Sequence, residues 1–119
     1  MARVLVVDDA AFVRKMVGDA LTKSGHEVVG EARDDAEAVE RFVTLRPEVT
    51  TMGITMPGKD GLKALREIIA IDPYARIVVC SALGHESKVL ESIRIGAKDF
   101  VVKPLQPYRI VDAVAKALS

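Results

Sequence analysis

Asp8 and Asp9 stand side by side directly after the apolar run Val4-Leu5-Val6-Val7, and a helical pattern opens a few residues later at Phe12. Adjacent carboxylates repel each other, so a pair held together calls for a cation, either Mg²⁺ or a lysine ammonium. The duller reading is that one acid caps the following helix and the other is solvated. Three further positions follow short apolar runs in the same way. They are Gly53 after Val49-Thr50-Thr51-Met52, Ser81 after Ile77-Val78-Val79-Cys80, and Lys103 after Phe100-Val101-Val102.

Those runs define the elements that must position these side chains. Residues 3–7, 27–31, 49–52, 76–80 and 100–103 read as five strands, each followed by an amphipathic helical pattern. Such alternation predicts an α/β domain with a parallel sheet, and consecutive apolar residues mark strands covered on both faces. The helical stripes, all read as core, are Phe12, Met16, Ala20 and Leu21; Ala36, Val39, Phe42 and Val43; Leu62, Leu65, Ile68 and Ile69; Val89, Leu90 and Ile93; and Ile110, Val111, Val114 and Leu118. Asp34, three residues before Glu37, predicts a capping box, Gly96 closes the fourth helix and Pro107 opens the fifth. Because parallel strands point one way, their carboxyl ends share the edge at which open sheets bind ligands. Asp8, Asp9, Gly53, Ser81 and Lys103 become neighbours there.

Composition narrows the function. The 119 residues suit one domain, residues 1–119, and 50% are hydrophobic, enough for a single core. Seventeen basic and seventeen acidic residues cancel, leaving no overall field to attract nucleic acid or an anionic membrane. Cys80 is the only cysteine, which excludes a disulfide framework and a CxxC site, and reads as a small core residue. His26 and His85 lack a partner histidine at ligand spacing and read as surface residues. The apolar runs fall short of the roughly 20 residues that span a bilayer, and the N-terminus lacks the apolar stretch of a signal peptide. A monomeric cytoplasmic protein is expected.

Four motifs in order carry a family resemblance: Asp8-Asp9, then Ile54-Thr55-Met56-Pro57 with Asp60-Gly61, then Cys80-Ser81-Ala82, then Lys103-Pro104. Along essentially its whole length the chain resembles the response-regulator receiver domains of two-component phosphorelay signalling, most closely the single-domain chemotaxis regulators of the CheY type. The resemblance implies a single doubly wound, flavodoxin-like (βα)5 sheet of order 2-1-3-4-5. It also implies Mg²⁺ bound directly by Asp9, through water by Asp8, and by the backbone carbonyl of Thr55. Ser81 matches the hydroxyl that turns toward a bound phosphoryl group, Lys103 the lysine that pairs with it, and Phe100 the aromatic that changes rotamer. The peptide joining Lys103 to Pro104 is cis in the family.

Position 53 departs from the pattern. Receivers carry there the aspartate that accepts a phosphoryl group from a histidine kinase, and Gly53 has no nucleophile. A weakened Mg²⁺ site is expected, with Lys103 neutralising the acids. Thr50 and Gly58-Lys59 depart too: Thr50 adds a hydroxyl that needs a partner if buried, and the loop becomes more basic. The implied partners are a histidine kinase and a flagellar-switch-type protein, met through the face running from Glu86 to Leu118. Three functions follow. The chain is a receiver acting as a protein-binding module without phosphorylation, or a phosphorylated regulator substituted at position 53, or an aspartate-dependent phosphohydrolase using Asp8 or Asp9. The last fits poorly, since those enzymes resemble Asp-x-Asp and need a cap domain, so no enzyme is expected.

Overall fold

A computed structural model describes residues 2–54 and 61–119. Its elements alternate as β1 (Arg3–Val7), α1 (Ala11–Lys23), β2 (Glu27–Ala32), α2 (Asp35–Leu45), β3 (Val49–Gly53), α3 (Gly61–Ile71), β4 (Ile77–Ser81), α4 (Glu86–Ile95), β5 (Asp99–Val102) and α5 (Pro107–Leu118). Every neighbouring pair of strands is parallel, and the order across the sheet is β2-β1-β3-β4-β5. This is the expected doubly wound, flavodoxin-like arrangement. Thr55, Gly58-Lys59 and Asp60 lie outside the described residues.

Successive strand side chains point to opposite faces, so one sheet feeds two cores. Val4, Val6, Val49, Val78 and Val101 pack with Val13, Val17 and Leu21 of α1 and with Ile110 and Val114 of α5. Leu5, Val7, Met52, Ile77 and Val79 pack with Phe42 of α2, Leu65 and Ile68 of α3, and Val89 of α4. With both faces covered, the central strands β1, β3 and β4 are buried almost throughout, while β2 and β5 at the edges stay partly exposed. The Asp34 carboxylate accepts the Glu37 N–H at 2.9 Å, and the Glu37 carboxylate accepts the Arg33 N–H at 3.0 Å, so the predicted capping pair forms. Gly96 ends α4 at φ 144°, where a Cβ would lie 3.1 Å from Ile69 Cδ1, so backbone and packing both ask for glycine.

Several expected core positions are instead exposed: Phe12 (75%), Leu90 (58%), Val43 (46%), Ile93 (42%) and Ala36. A surface helix buries an arc of about 100°, and these residues fall just outside it. In α1 the buried arc is Val13, Val17, Ala20 and Leu21, and in α4 it is Val89 and Ser92. Ser92 tolerates full burial because its hydroxyl donates to the Val89 carbonyl at 2.6 Å. His26 is half-buried rather than on the surface. Its Nδ1 accepts the Ala2 N–H at 3.1 Å, and burial lowers its pKa.

Thr50 is fully buried in β3 between Leu5 and Ile77, and its hydroxyl has no hydrogen-bond partner among the described residues. An unsatisfied buried polar group costs about 1–3 kcal/mol, and valine reproduces the shape of threonine without the hydroxyl. Thr50→Val is therefore expected to stabilise the fold by about 1 kcal/mol, read as a higher urea midpoint at unchanged slope. Among the described residues no helix is long and apolar enough to cross a membrane.

Candidate functional site

The acid pair divides where β1 ends. Asp8 is 2% exposed and turns inward, whereas Asp9 faces solvent. Both Asp8 oxygens are engaged: Oδ1 accepts the Ala10 N–H at 3.0 Å and Oδ2 accepts from Lys103 Nζ at 3.0 Å. Asp8 thus combines two roles, an Asx-type turn into α1 and an ion pair with the lysine beyond β5. Its main chain is held as well. The N–H donates to the Ala32 carbonyl at 3.0 Å, and the Asp8 carbonyl accepts from Arg14 at 2.7 Å. Arg14 also pairs with Glu31 at 2.8 Å, bracing β1 against β2. Sequence reading missed Arg14, because its partners lie on another strand and leave no trace in local spacing.

Gly53 lies at the end of β3, beside Cys80 of β4. A Cβ built on it would stand 2.8 Å from Asp8 Oδ2 and 3.4 Å from Asp8 Cγ. The Asp8 carboxylate therefore crowds the place where a Cβ at position 53 would stand. Ser81 is buried at the end of β4, and its hydroxyl donates to the neighbouring Ala82 carbonyl at 3.1 Å. Its own carbonyl accepts the Lys103 N–H at 2.7 Å, tying the root of the lysine to β4. The Lys103-Pro104 peptide is cis. Asp8, Gly53, Ser81 and Lys103 thus gather at one edge of the sheet, Asp9 stands at its rim, and Thr55 falls outside the described residues.

Phe100 is 43% exposed and borders an apolar cavity of about 300 Å³ between β5 and α4. Buried Ser81 and the exposed Leu83, Leu90 and Ile93 also line it. The apolar residues that α4 leaves outside the core belong to this cavity. Cys80, in β4, is buried, and its thiol pKa is pushed up to about 12, first by desolvation and then by the Asp8 carboxylate, with Lys103 opposing. Thiolate is the reactive form, so Cys80 should resist a maleimide or disulfide reagent at neutral pH until the chain unfolds. Rapid labelling of the native protein would contradict this burial.

The donors present do not suit a resident Mg²⁺. The ion needs near-octahedral oxygen coordination, but Asp8 is committed to Lys103 and Ala10, and Gly53 offers no side-chain oxygen. Among the described strand-end residues, Asp9 keeps the exposed carboxylate at this edge. Among the described residues no three acidic, histidine or cysteine side chains gather as a metal site.

Sheets wound in this order also serve flavin-binding proteins. Here, however, the ligand edge carries acids answered by a lysine from the far side of the sheet, an arrangement of receiver-type signalling domains. The chain belongs to the response regulator receiver domain family, whose sequence model matches residues 4–115. It is 55% identical over 114 residues to the chemotaxis protein CheY of Thermotoga maritima, covering 96% of this chain and 95% of that one. Against the chemotaxis protein CheY of Bacillus subtilis it is 52% identical over 117 residues, covering 98% of each. Among solved structures, the CheX-CheY-BeF3-Mg²⁺ complex from Borrelia burgdorferi matches with a TM-score of 0.92 and 34% identity, over 98% of this chain and 89% of that chain. The protein is a CheY-type receiver of chemotaxis signalling.

Proposed function

We propose that this receiver forms no aspartyl phosphate at position 53 and acts as a protein-binding module rather than an enzyme. The observation that carries this reading is Gly53 itself, which has no nucleophile, with the Asp8 carboxylate drawn in to 2.8 Å from where its Cβ would stand. Mg²⁺ is bound weakly or not at all. Ser81, Lys103 and Phe100 keep the positions of the family's phosphate-binding and switch residues but have no phosphoryl group to respond to. Output runs through the face between Glu86 and Leu118, where the exposed Leu90, Ile93 and Phe100 offer apolar contact area. Its partners are of the histidine-kinase and flagellar-switch classes, met by a monomer in the cytoplasm.

The test is incubation of this chain and of Gly53→Asp with Mg²⁺ and acetyl phosphate, followed by intact-mass measurement. The expected result is a phosphoryl adduct on Gly53→Asp alone. An adduct at Asp8 or Asp9 of the unchanged chain would overturn the proposal. Failure of both chains to label would show that the site has also been lost around Thr50 and Gly58-Lys59, which strengthens the reading as a binding module.

A further inference from the structure

We infer that Lys103 is the resident counter-ion of Asp8 in this chain, and that Gly53 is what allows it to hold the acid site without a divalent cation. The inference rests on reading position 53 as the lost acceptor, but it is tested by metal binding and not by phosphoryl transfer, so the two fail separately.

Three observations carry it. First, the Asp8 carboxylate is almost wholly out of solvent and has both oxygens hydrogen-bonded within the protein. A metal approaching it competes with Lys103 and the Ala10 N–H for that carboxylate. Second, Lys103 is delivered from a fixed point, because its N–H is bonded to the Ser81 carbonyl at 2.7 Å. Its ammonium reaches across the ends of β4 and β3 to the end of β1, and it meets a charge that would otherwise be buried unpaired. Third, the pair occupies room that a side chain at position 53 would contest. A Cβ at position 53 would sit 2.8 Å from the very oxygen that accepts from Lys103, so any larger residue forces that carboxylate to shift. The loss of the aspartate thus does more than remove an acceptor. It lets Asp8 settle onto an internal cation in the place where the family's chemistry calls for an external one, and leaves Asp9 few oxygen companions among the described residues.

The experiment is a titration of the ¹⁵N-labelled chain with MgCl₂ at constant ionic strength, followed by amide shifts and by the melting temperature, alongside Lys103→Met and Gly53→Asp. The unchanged chain is expected to show no saturable shift at Asp8, Asp9 or Gly53 and no rise in melting temperature. Lys103→Met, which frees the Asp8 carboxylate, and Gly53→Asp, which restores a third acid and displaces Asp8, should each gain saturable binding, tightened at least about tenfold. Saturable binding centred on Asp8 and Asp9 of the unchanged chain would overturn the inference. So would a folded Lys103→Met that binds no better than its parent. Should Lys103→Met not fold, the contrast between the unchanged chain and Gly53→Asp decides: equal affinities refute the inference, and binding by Gly53→Asp alone upholds it.

Discussion

Lys103→Ala is expected to cost about 3 kcal/mol of folding stability, because it leaves the Asp8 charge buried without its cation. Removing one partner of a buried pair costs about 3–5 kcal/mol. The lower end applies here, since the Asp8 side chain is 2% exposed but that of Lys103 is 26% exposed and water reaches its head. In a domain of this size the loss corresponds to a melting temperature lower by about 10 °C. Lys116→Ala supplies the control. Its partner Asp112 lies at 3.2 Å with both side chains well exposed, and such pairs contribute below about 0.5 kcal/mol. Adding Asp8→Asn to Lys103→Ala should recover part of the loss, as no charge then remains buried. Equal melts for Lys103→Ala and Lys116→Ala would mean that Asp8 is not held as described.

Gly53→Asp should lower stability in the presence of a chelator by about 1–2 kcal/mol, although replacing glycine normally stabilises a strand by about 0.5–1 kcal/mol. Two effects outweigh that gain. The new Cβ would stand 2.8 Å from Asp8 Oδ2, so the Asp8 carboxylate must shift and its contact with Lys103 is strained. The new carboxylate then brings a third negative charge beside Asp8 and Asp9, where Lys103 already answers Asp8. Gly53→Ala separates the terms, since it adds the Cβ without the charge and should fall between the two chains. Urea unfolding of all three in chelator measures this, and an aspartate form more stable than its parent would remove the case for repulsion.

The strands were legible chiefly because burial on both faces leaves apolar runs, while their order followed from the family resemblance and not from the runs themselves. Helix faces were less so. Residue type told apolar from polar but not which side of the buried arc a residue occupies, so Leu90 and Ile93 read as core while Ser92, the truly buried position, did not. At the site, the gathering of Asp8, Gly53, Ser81 and Lys103 followed from strand direction alone. The unequal fates of Asp8 and Asp9 did not. Two identical residues in succession point to opposite sides of the backbone, and only the neighbours that each side meets decide which is buried and paired. Arg14 escaped notice for a related reason, since its worth lies in contacts with Asp8 and Glu31 that sequence distance hides.

Asp8 and Lys103 also stand 95 residues apart, one beside the sheet's centre and one beyond its last strand. During synthesis β1 and the strands flanking it emerge long before the lysine does, so the early sheet must carry an uncompensated acid at its heart. Closing so long a loop is entropically slow, and the contact cannot form until the final βα unit docks. The ion pair therefore works as a completion signal for folding: truncated or half-made chains should keep a solvated, loosely closed first loop, and only the finished domain seals it.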